Sequence, residues 1–383
     1  MNELHARATR FAAAAVEHAR SLHRSPLAPD VARLHRLFTS ERAERRPDYQ
    51  RDPALRRAYL GFFLPYNAVK IALLLARSRR EGVIPPLREP AVLDVGAGPL
   101  TGVFAAWIAC GRLGPCVAVD AAAAAMAAAE PLLSAIEHGG VTQRAVNVTL
   151  RQAASYLEGF RPDLAVAANV LNELRDPRRG DDAREHLVTE LVAALTPSGR
   201  LLAVEPATRV HGRALMLLRD RLVAGRHATV LSPCRGTATC PLLRSRGDWC
   251  HGEHPWEPPG VLAELARAAG IDKATLKESH LLLAPRALSA PVVGLRLVGG
   301  PMRDATGTER RYACGADGLA TLVGAPMLPR DVVGAPRGAL LAPIPAGVQL
   351  ELRPSPAPGA RGARRGAGHR RPRGRAGVGP RPR

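Results

Sequence analysis

The stretch AVLDVGAGPLTG, residues 91–102, decides the fold. Ala91–Val95 is a run of strand length, apolar except for Asp94, and Gly96-Ala97-Gly98 breaks it before the helical pattern FAAWIACGR, residues 104–112. A second strand, CVAVD at 116–120, follows, so residues 91–120 read as one βαβ unit. Glycines between a strand and a helix let the backbone approach a nucleoside cofactor. Asp120, twenty-six residues after Asp94, ends the second strand, where a carboxylate can bind ribose hydroxyls. NAD and S-adenosylmethionine both suit such an acid.

Downstream the alternation continues. Strands are expected at about Asn147 to Arg151, at DLAVAANVL (163–171) and at GRLLAVEP (199–206). Helices are expected at 121–137 and 183–195. That order predicts an α/β protein with a Rossmann-like parallel sheet covered on both faces. Upstream, apolar positions recur at three and four in ELHARATRFAAAAVEHARSLH (3–23) and from Tyr59 to Leu75, which predicts a helical N-terminal extension. EGVIPPLREP (81–90) is a linker. A helix at 261–270 and two strands, ESHLLLAP (278–285) and PVVGLRLVGG (291–300), are expected to complete a sheet edge.

The organisation expected is a helical region at 1–85, a Rossmann-like core at 86–225, a cysteine-rich loop at 226–259, a C-terminal part at 260–353 and an Arg/Gly/Pro tail at 354–383. Such a tail cannot bury enough apolar surface to fold alone, so it is expected to be disordered. The longest apolar stretch, GFFLPYNAVKIALLLA (61–76), contains Pro65, Asn67 and Lys70 and falls short of the roughly 20 residues a bilayer span needs. No membrane association is expected.

Cysteines carry the second signal. Cys234, Cys240 and Cys250 are spaced C-x5-C-x9-C among turn-forming residues, and Cys314 follows in RRYACG. Four such thiols read as a metal centre. The spacing is wider than the knuckles of structural zinc sites, which favours an iron–sulfur cluster, with zinc and ordinary buried thiols as alternatives. His251 and His254 lie close enough to replace a ligand, yet read more simply as exposed loop residues. Cys110 and Cys116, in apolar surroundings, read as core. A long chain of this kind suits reduced thiols in a cytoplasmic setting.

Net charge is +20 over 383 residues, and 51 of the 54 basic residues are arginine; the lysines are Lys70, Lys273 and Lys277. Ten arginines and no acid follow Glu351, leaving about +10 upstream. A basic surplus of this size points to a nucleic-acid partner. Its bland alternative is a solvated arginine surface from a GC-rich genome.

The turn D-x-G-x-G-P looks more like the class I methyltransferase signature than G-x-G-x-x-G. The chain further resembles the small-ribosomal-subunit methyltransferase-like proteins, mitochondrial ribosome assembly factors and their bacterial relatives. That resemblance is carried, over roughly residues 55–325, by YLGFFLPYNAVKIALLL, VLDVGAGPLTG, VLNEL, LLAVEPATRVHGRALMLLRDRL, SPCRGTATCPLLRSRGDWCH and RRYACG. It implies a class I methyltransferase fold, S-adenosylmethionine as cofactor and small-subunit rRNA or the ribosome as partner. It also implies a [4Fe-4S] cluster on Cys234, Cys240, Cys250 and Cys314. A monomer is expected.

Asp94, Gly96, Gly98, Asp120 and Asn172 are the candidate cofactor-binding residues. Leu100 stands where many methyltransferases carry a third glycine, and its side chain is expected to narrow the approach to the methionine part of the cofactor. The loop after the fourth strand, Asn169-Val170-Leu171-Asn172-Glu173-Leu174, lacks the N/D-P-P-Y/F arrangement that amine-methylating enzymes use. Asn172, Glu173 and Glu205 read either as pocket-rim groups or as caps. No catalytic residue can be named. Three functions compete: methyl transfer to rRNA, a non-catalytic RNA-binding assembly factor, and a small-molecule methyltransferase or NAD-dependent enzyme.

Overall fold

A computed structural model of the chain describes residues 2–352, apart from 42–43, 45–48, 149–151, 175–179, 235–238, 286–293, 316–317 and 325–326. The Arg/Gly/Pro tail expected at 354–383 lies outside the described residues.

Chain order begins with helices α1 (Asn2–Ser21), α2 (Ala28–Phe38), α3 (Pro53–Ala58) and α4 (Leu64–Arg80). The alternating part follows as β1 (Val92–Val95), α5 (Thr101–Cys110), β2 (Cys116–Asp120), α6 (Ala123–Ala129), α7 (Leu132–Ala135), β3 (Thr142–Ala145), α8 (Ala153–Leu157), β4 (Leu164–Ala168), α9 (Gly180–Ala194), β5 (Arg200–Glu205) and α10 (Arg209–Ala224). Beyond it lie β6 (Thr229–Ser232), β7 (Gly252–Pro255), α11 (Gly260–Ala268), β8 (Thr275–Ala284), β9 (Leu295–Arg303), β10 (Glu309–Gly315), β11 (Gly318–Val323), α12 (Arg330–Gly334), β12 (Leu340–Leu341) and β13 (Gln349–Leu352).

The main sheet runs β3-β2-β1-β4-β5-β8-β6, with β7 also paired to β8. Pairings among β1 to β5 are parallel, and β8 is antiparallel to β5, β6 and β7. Strand order reverses between β1 and β4, which opens a crevice at their carboxyl ends. Side-chain alternation divides the interior in two. Val92, Leu164, Val166, Leu202 and Val204 join a core shared with the N-terminal helices, while Leu93, Val95, Ala165, Leu201 and Ala203 join a core with α8, α9 and α10. Burial on both faces is why these strands read as continuous apolar runs.

α1 buries Ala8, Phe11, Ala12, Ala15, Val16 and Ala19, a stripe at three and four along the helix. Between α3 and α4 a π-helical turn, Tyr59–Phe63, widens the backbone by one residue, with the Leu64 N–H donating to the Tyr59 carbonyl. Residues 53–80 are long and apolar enough to cross a membrane, yet 89% of that apolar window is buried inside the protein. They form the central helical run of the N-terminal core.

Three readings from the sequence need correction. The third strand is Thr142–Ala145; Asn147 and Val148 are not in a strand, and 149–151 lie outside the described residues. Part of the segment read as a loop from 226 to 259 is sheet, since β6 and β7 both pair with β8. Of the two strands expected to finish one sheet edge, only β8 does so. β9 begins a separate antiparallel sheet, β12-β9-β10-β11-β13, around its own small core of Leu297, Ala313, Leu322, Leu328, Val332 and Leu341. Antiparallel neighbours of both kinds look alike in sequence, because each is a short apolar run between turns.

Candidate functional site

At the head of β1 the chain turns through Gly96 (φ +66°), Gly98 (φ +51°) and Leu100 (φ +60°) before α5 begins. Asp94 is fully buried, and its Oδ2 accepts the Gly102 and Val103 N–H groups at 2.7 and 3.2 Å, capping the helix start. Burial pushes the Asp94 carboxyl up to about 7. Gly102 is required by this arrangement, because a Cβ there would sit 2.5 Å from Asp94 Oδ1. Gly96 is equally constrained, by Val170 of the β4 loop, whose Cβ would lie 2.6 Å from an added Cβ.

Leu100 is fully buried in the core facing the N-terminal helices. Its side chain therefore does not narrow the crevice, contrary to the reading from sequence. Asp120, at the end of β2, accepts the Gly98 N–H through Oδ2 and the Ala122 N–H through Oδ1, both at 2.7 Å. Each oxygen keeps a lone pair for a ribose hydroxyl. The carboxylate thus fixes the glycine turn.

The β4 loop is held from β5. Glu205 is buried; its Oε1 accepts the Leu171 and Asn172 N–H groups at 2.9 and 3.3 Å, and its Oε2 accepts Asn172 Nδ2 at 2.6 Å. Burial pushes this carboxyl up to about 7. Asn172 also donates to the Asn169 carbonyl at 2.8 Å, and Asn169 itself has a φ of +60°. Glu205 and Asn172 accordingly brace the loop. Asn172 and Glu173 also line a cavity of about 500 Å³ between the strand ends and the N-terminal helices.

The other wall of that cavity was not legible as a site. Phe38, Tyr49, Tyr59, Phe63, Tyr66 and Lys70 come from the N-terminal region, and Lys273 and Lys277 from the α11–β8 turn and β8. Lys70 is buried, donates to Asn67 Oδ1 at 3.0 Å and is brought down to about 8 by burial and by Lys273. One sequence signal existed: these are the chain's only lysines.

Cys234, Cys240, Cys250 and Cys314 all line a second cavity, together with Arg219 and Arg296. Burial pushes Cys240 up to about 11 and Cys314 up to about 12, and Cys250 well above its ordinary value; neighbouring thiols add to each rise. The enclosed space is about 30 Å³. Among the described residues no three His, Cys, Asp or Glu side chains are arranged to hold a metal ion, so the metal-binding insertion is not itself shown. Cys116 is buried as expected, whereas Cys110 is partly exposed.

His251 and His254, expected at the surface, are buried. His251 stacks on Trp249 and meets Arg337, while His254 Nε2 lies 3.0 Å from Glu278 Oε1. Glu278, wholly buried, also meets Arg77 and His280, and His280 meets Ser232. Although burial pushes Glu278 up, His280, His254 and Arg77 hold it well below the usual carboxylate range. The Ser232–His280–Glu278 order of contacts resembles a hydrolase triad, but Ser232 is 1% exposed. A nucleophile must meet its substrate; here the network clamps β6 and β7 to β8.

Strand order, the glycine turn tied to a strand-end acid and the crevice beside them define a Rossmann-type α/β protein. A family model described as mitochondrial small ribosomal subunit Rsm22 matches residues 58–255, just over half of the sequence. The chain belongs to that family. Solved structures with a similar fold include a candidate RNA methyltransferase from Pyrococcus horikoshii (11% identity, 57% of this chain and 81% of that one, TM-score 0.33). Others are an O-methyltransferase family protein from Burkholderia thailandensis (16%, 64% and 63%, 0.33) and a candidate SAM-dependent methyltransferase from Streptococcus mutans (10%, 57% and 49%, 0.36). The chain spans less than two thirds of the latter two, and at these scores nothing further rests on the likeness. No curated protein matches the sequence significantly.

Proposed function

We propose that this chain is a methyltransferase-like factor of small-ribosomal-subunit assembly, binding S-adenosylmethionine at Gly96, Gly98 and Asp120 and small-subunit rRNA on its basic surface. The observation that carries the reading is that the family match, residues 58–255, spans the glycine turn and all five parallel strands of the crevice. Asp94, Glu205 and Asn172 position the two loops. In-line transfer from the cofactor to an rRNA acceptor then depends chiefly on holding both in one geometry.

Cys234, Cys240, Cys250 and Cys314 would hold a [4Fe-4S] cluster in this reading, with zinc as the alternative. Support comes from the donor set: four sulfurs and two guanidiniums around one cavity. Buried thiolates that repel one another need cations, which the metal would supply, and the arginines offset the remaining negative charge. When bound, the cluster supplies a rigid inorganic cross-link capable of electron transfer.

Binding of the purified chain to small-subunit rRNA across a salt series tests the RNA partner. Affinity is expected to fall linearly on logarithmic axes as Arg contacts release counterions. Absence of binding even at about 50 mM salt would remove the ribosomal reading.

A further inference from the structure

Lysine is the rarest basic choice in this chain, three residues against fifty-one arginines, and all three lysines line the same 500 Å³ cavity. Aromatic residues are nearly as scarce: six Phe, five Tyr and three Trp. Five of those fourteen, Phe38, Tyr49, Tyr59, Phe63 and Tyr66, line it too. The aromatic rings are locked among themselves, with Phe38 edge-on to Tyr49, Tyr59 and Phe63. The π turn presents both Tyr59 and Phe63 to the cavity.

Charge in the cavity is incompletely balanced. Lys277 pairs with Glu253 at 3.0 Å, but neither Lys70 nor Lys273 has a carboxylate within ion-pair distance among the described residues. Glu205 and Glu278 act on Lys70 only as longer-range attractions, and Glu173 and Asp272 share the cavity lining. Buried Lys70 and partly exposed Lys273 repel each other across the cavity, and Lys70 also loses hydration, a costly arrangement unless an anion joins them.

We propose that this cavity is a nucleotide pocket in which the aromatic wall takes a base drawn out of its stack and Lys70 and Lys273 take the adjoining phosphate. The proposal rests on, and deepens, the methyltransferase-like reading, since it places an acceptor nucleotide beside the cofactor turn. Extruded bases are held by stacking on aromatic faces, and phosphates by basic side chains. A volume of 500 Å³ lies within the usual range for small-ligand sites. Lysine can bind phosphate as a compact point charge with three donors, without the fixed fork geometry of a guanidinium.

Calorimetric titration of the full chain with CMP and UMP, against cytidine and uridine, tests the pocket. The nucleotides are expected to bind at least about tenfold more tightly than the nucleosides. Lys273→Ala, at a partly exposed position, should abolish that difference while leaving S-adenosylmethionine affinity unchanged; Lys70→Met should do the same. Equal binding of nucleotide and nucleoside, an unchanged preference in Lys273→Ala, or displacement of S-adenosylmethionine by the nucleotides would overturn the proposal. Nucleotide binding sensitive to Lys273, in a protein that ignores S-adenosylmethionine, would sink the cofactor reading and leave the pocket standing.

Discussion

Leu100 shows how a single residue weighs conformation against burial. Its left-handed backbone costs about 1–2 kcal/mol, while full burial of a leucine side chain contributes roughly 1.5–3 kcal/mol, so the apolar residue holds a position that glycine would occupy without strain. Asp94 and Glu205 make the opposite bargain, as buried carboxyls each pushed up to about 7. A folded pKa above the unfolded one means stability present below about pH 4 and lost as pH rises through about 7. Denaturant unfolding of wild type and Glu205→Gln should therefore show a stability difference that shrinks between pH 5 and 8, because glutamine does not ionise. A difference that is flat or grows with pH would contradict this account of Glu205. The glycine turn and the position of Asp120 at the end of β2 were legible from spacing alone. The bracing roles of Asp94, Glu205 and Asn172 were not, since a strand-end acid looks the same whether it faces a ligand or a backbone N–H.

At the scale of elements, β1, β2, β4 and β5 were legible because strands buried on both faces are written as mostly apolar runs, whereas β3, a polar edge strand that is exposed or half-buried, was placed too far along the chain. β9 was misplaced because nothing in an apolar run says which sheet receives it. The consequence is mechanical. Cys234, Cys240 and Cys250 lie between β6 and β7 of the main sheet, and Cys314 lies in β10 of the second sheet. A cluster held by all four would tie the sheets together, reinforced by Arg296 of β9, which donates to Glu81 at 2.6 and 2.8 Å and to the Pro233 carbonyl at 2.9 Å. Protein purified without oxygen is expected to contain iron and acid-labile sulfide, and Cys314→Ser to lose both and unfold at a lower temperature. Stoichiometric zinc without iron, or Cys314→Ser that keeps its iron, would refute the cluster.

For the whole molecule, the helical N-terminal region and the sheet form one core, so the glycine turn and the aromatic–lysine cavity share a single wall of packed side chains. That wall was hidden in sequence because its residues lie between His35 and Lys277 and only the fold gathers them. The charge was legible, and it agrees with an RNA partner. The proposed function nevertheless turns on the crevice at the β1/β4 reversal, where Gly98 is pinned by Asp120. Calorimetry with S-adenosylmethionine on wild type and Asp120→Ala tests that claim most directly. The account predicts saturable heat for the wild type and an affinity loss of about tenfold or more in the variant; a wild type that gives no heat at about 1 mM cofactor would contradict it.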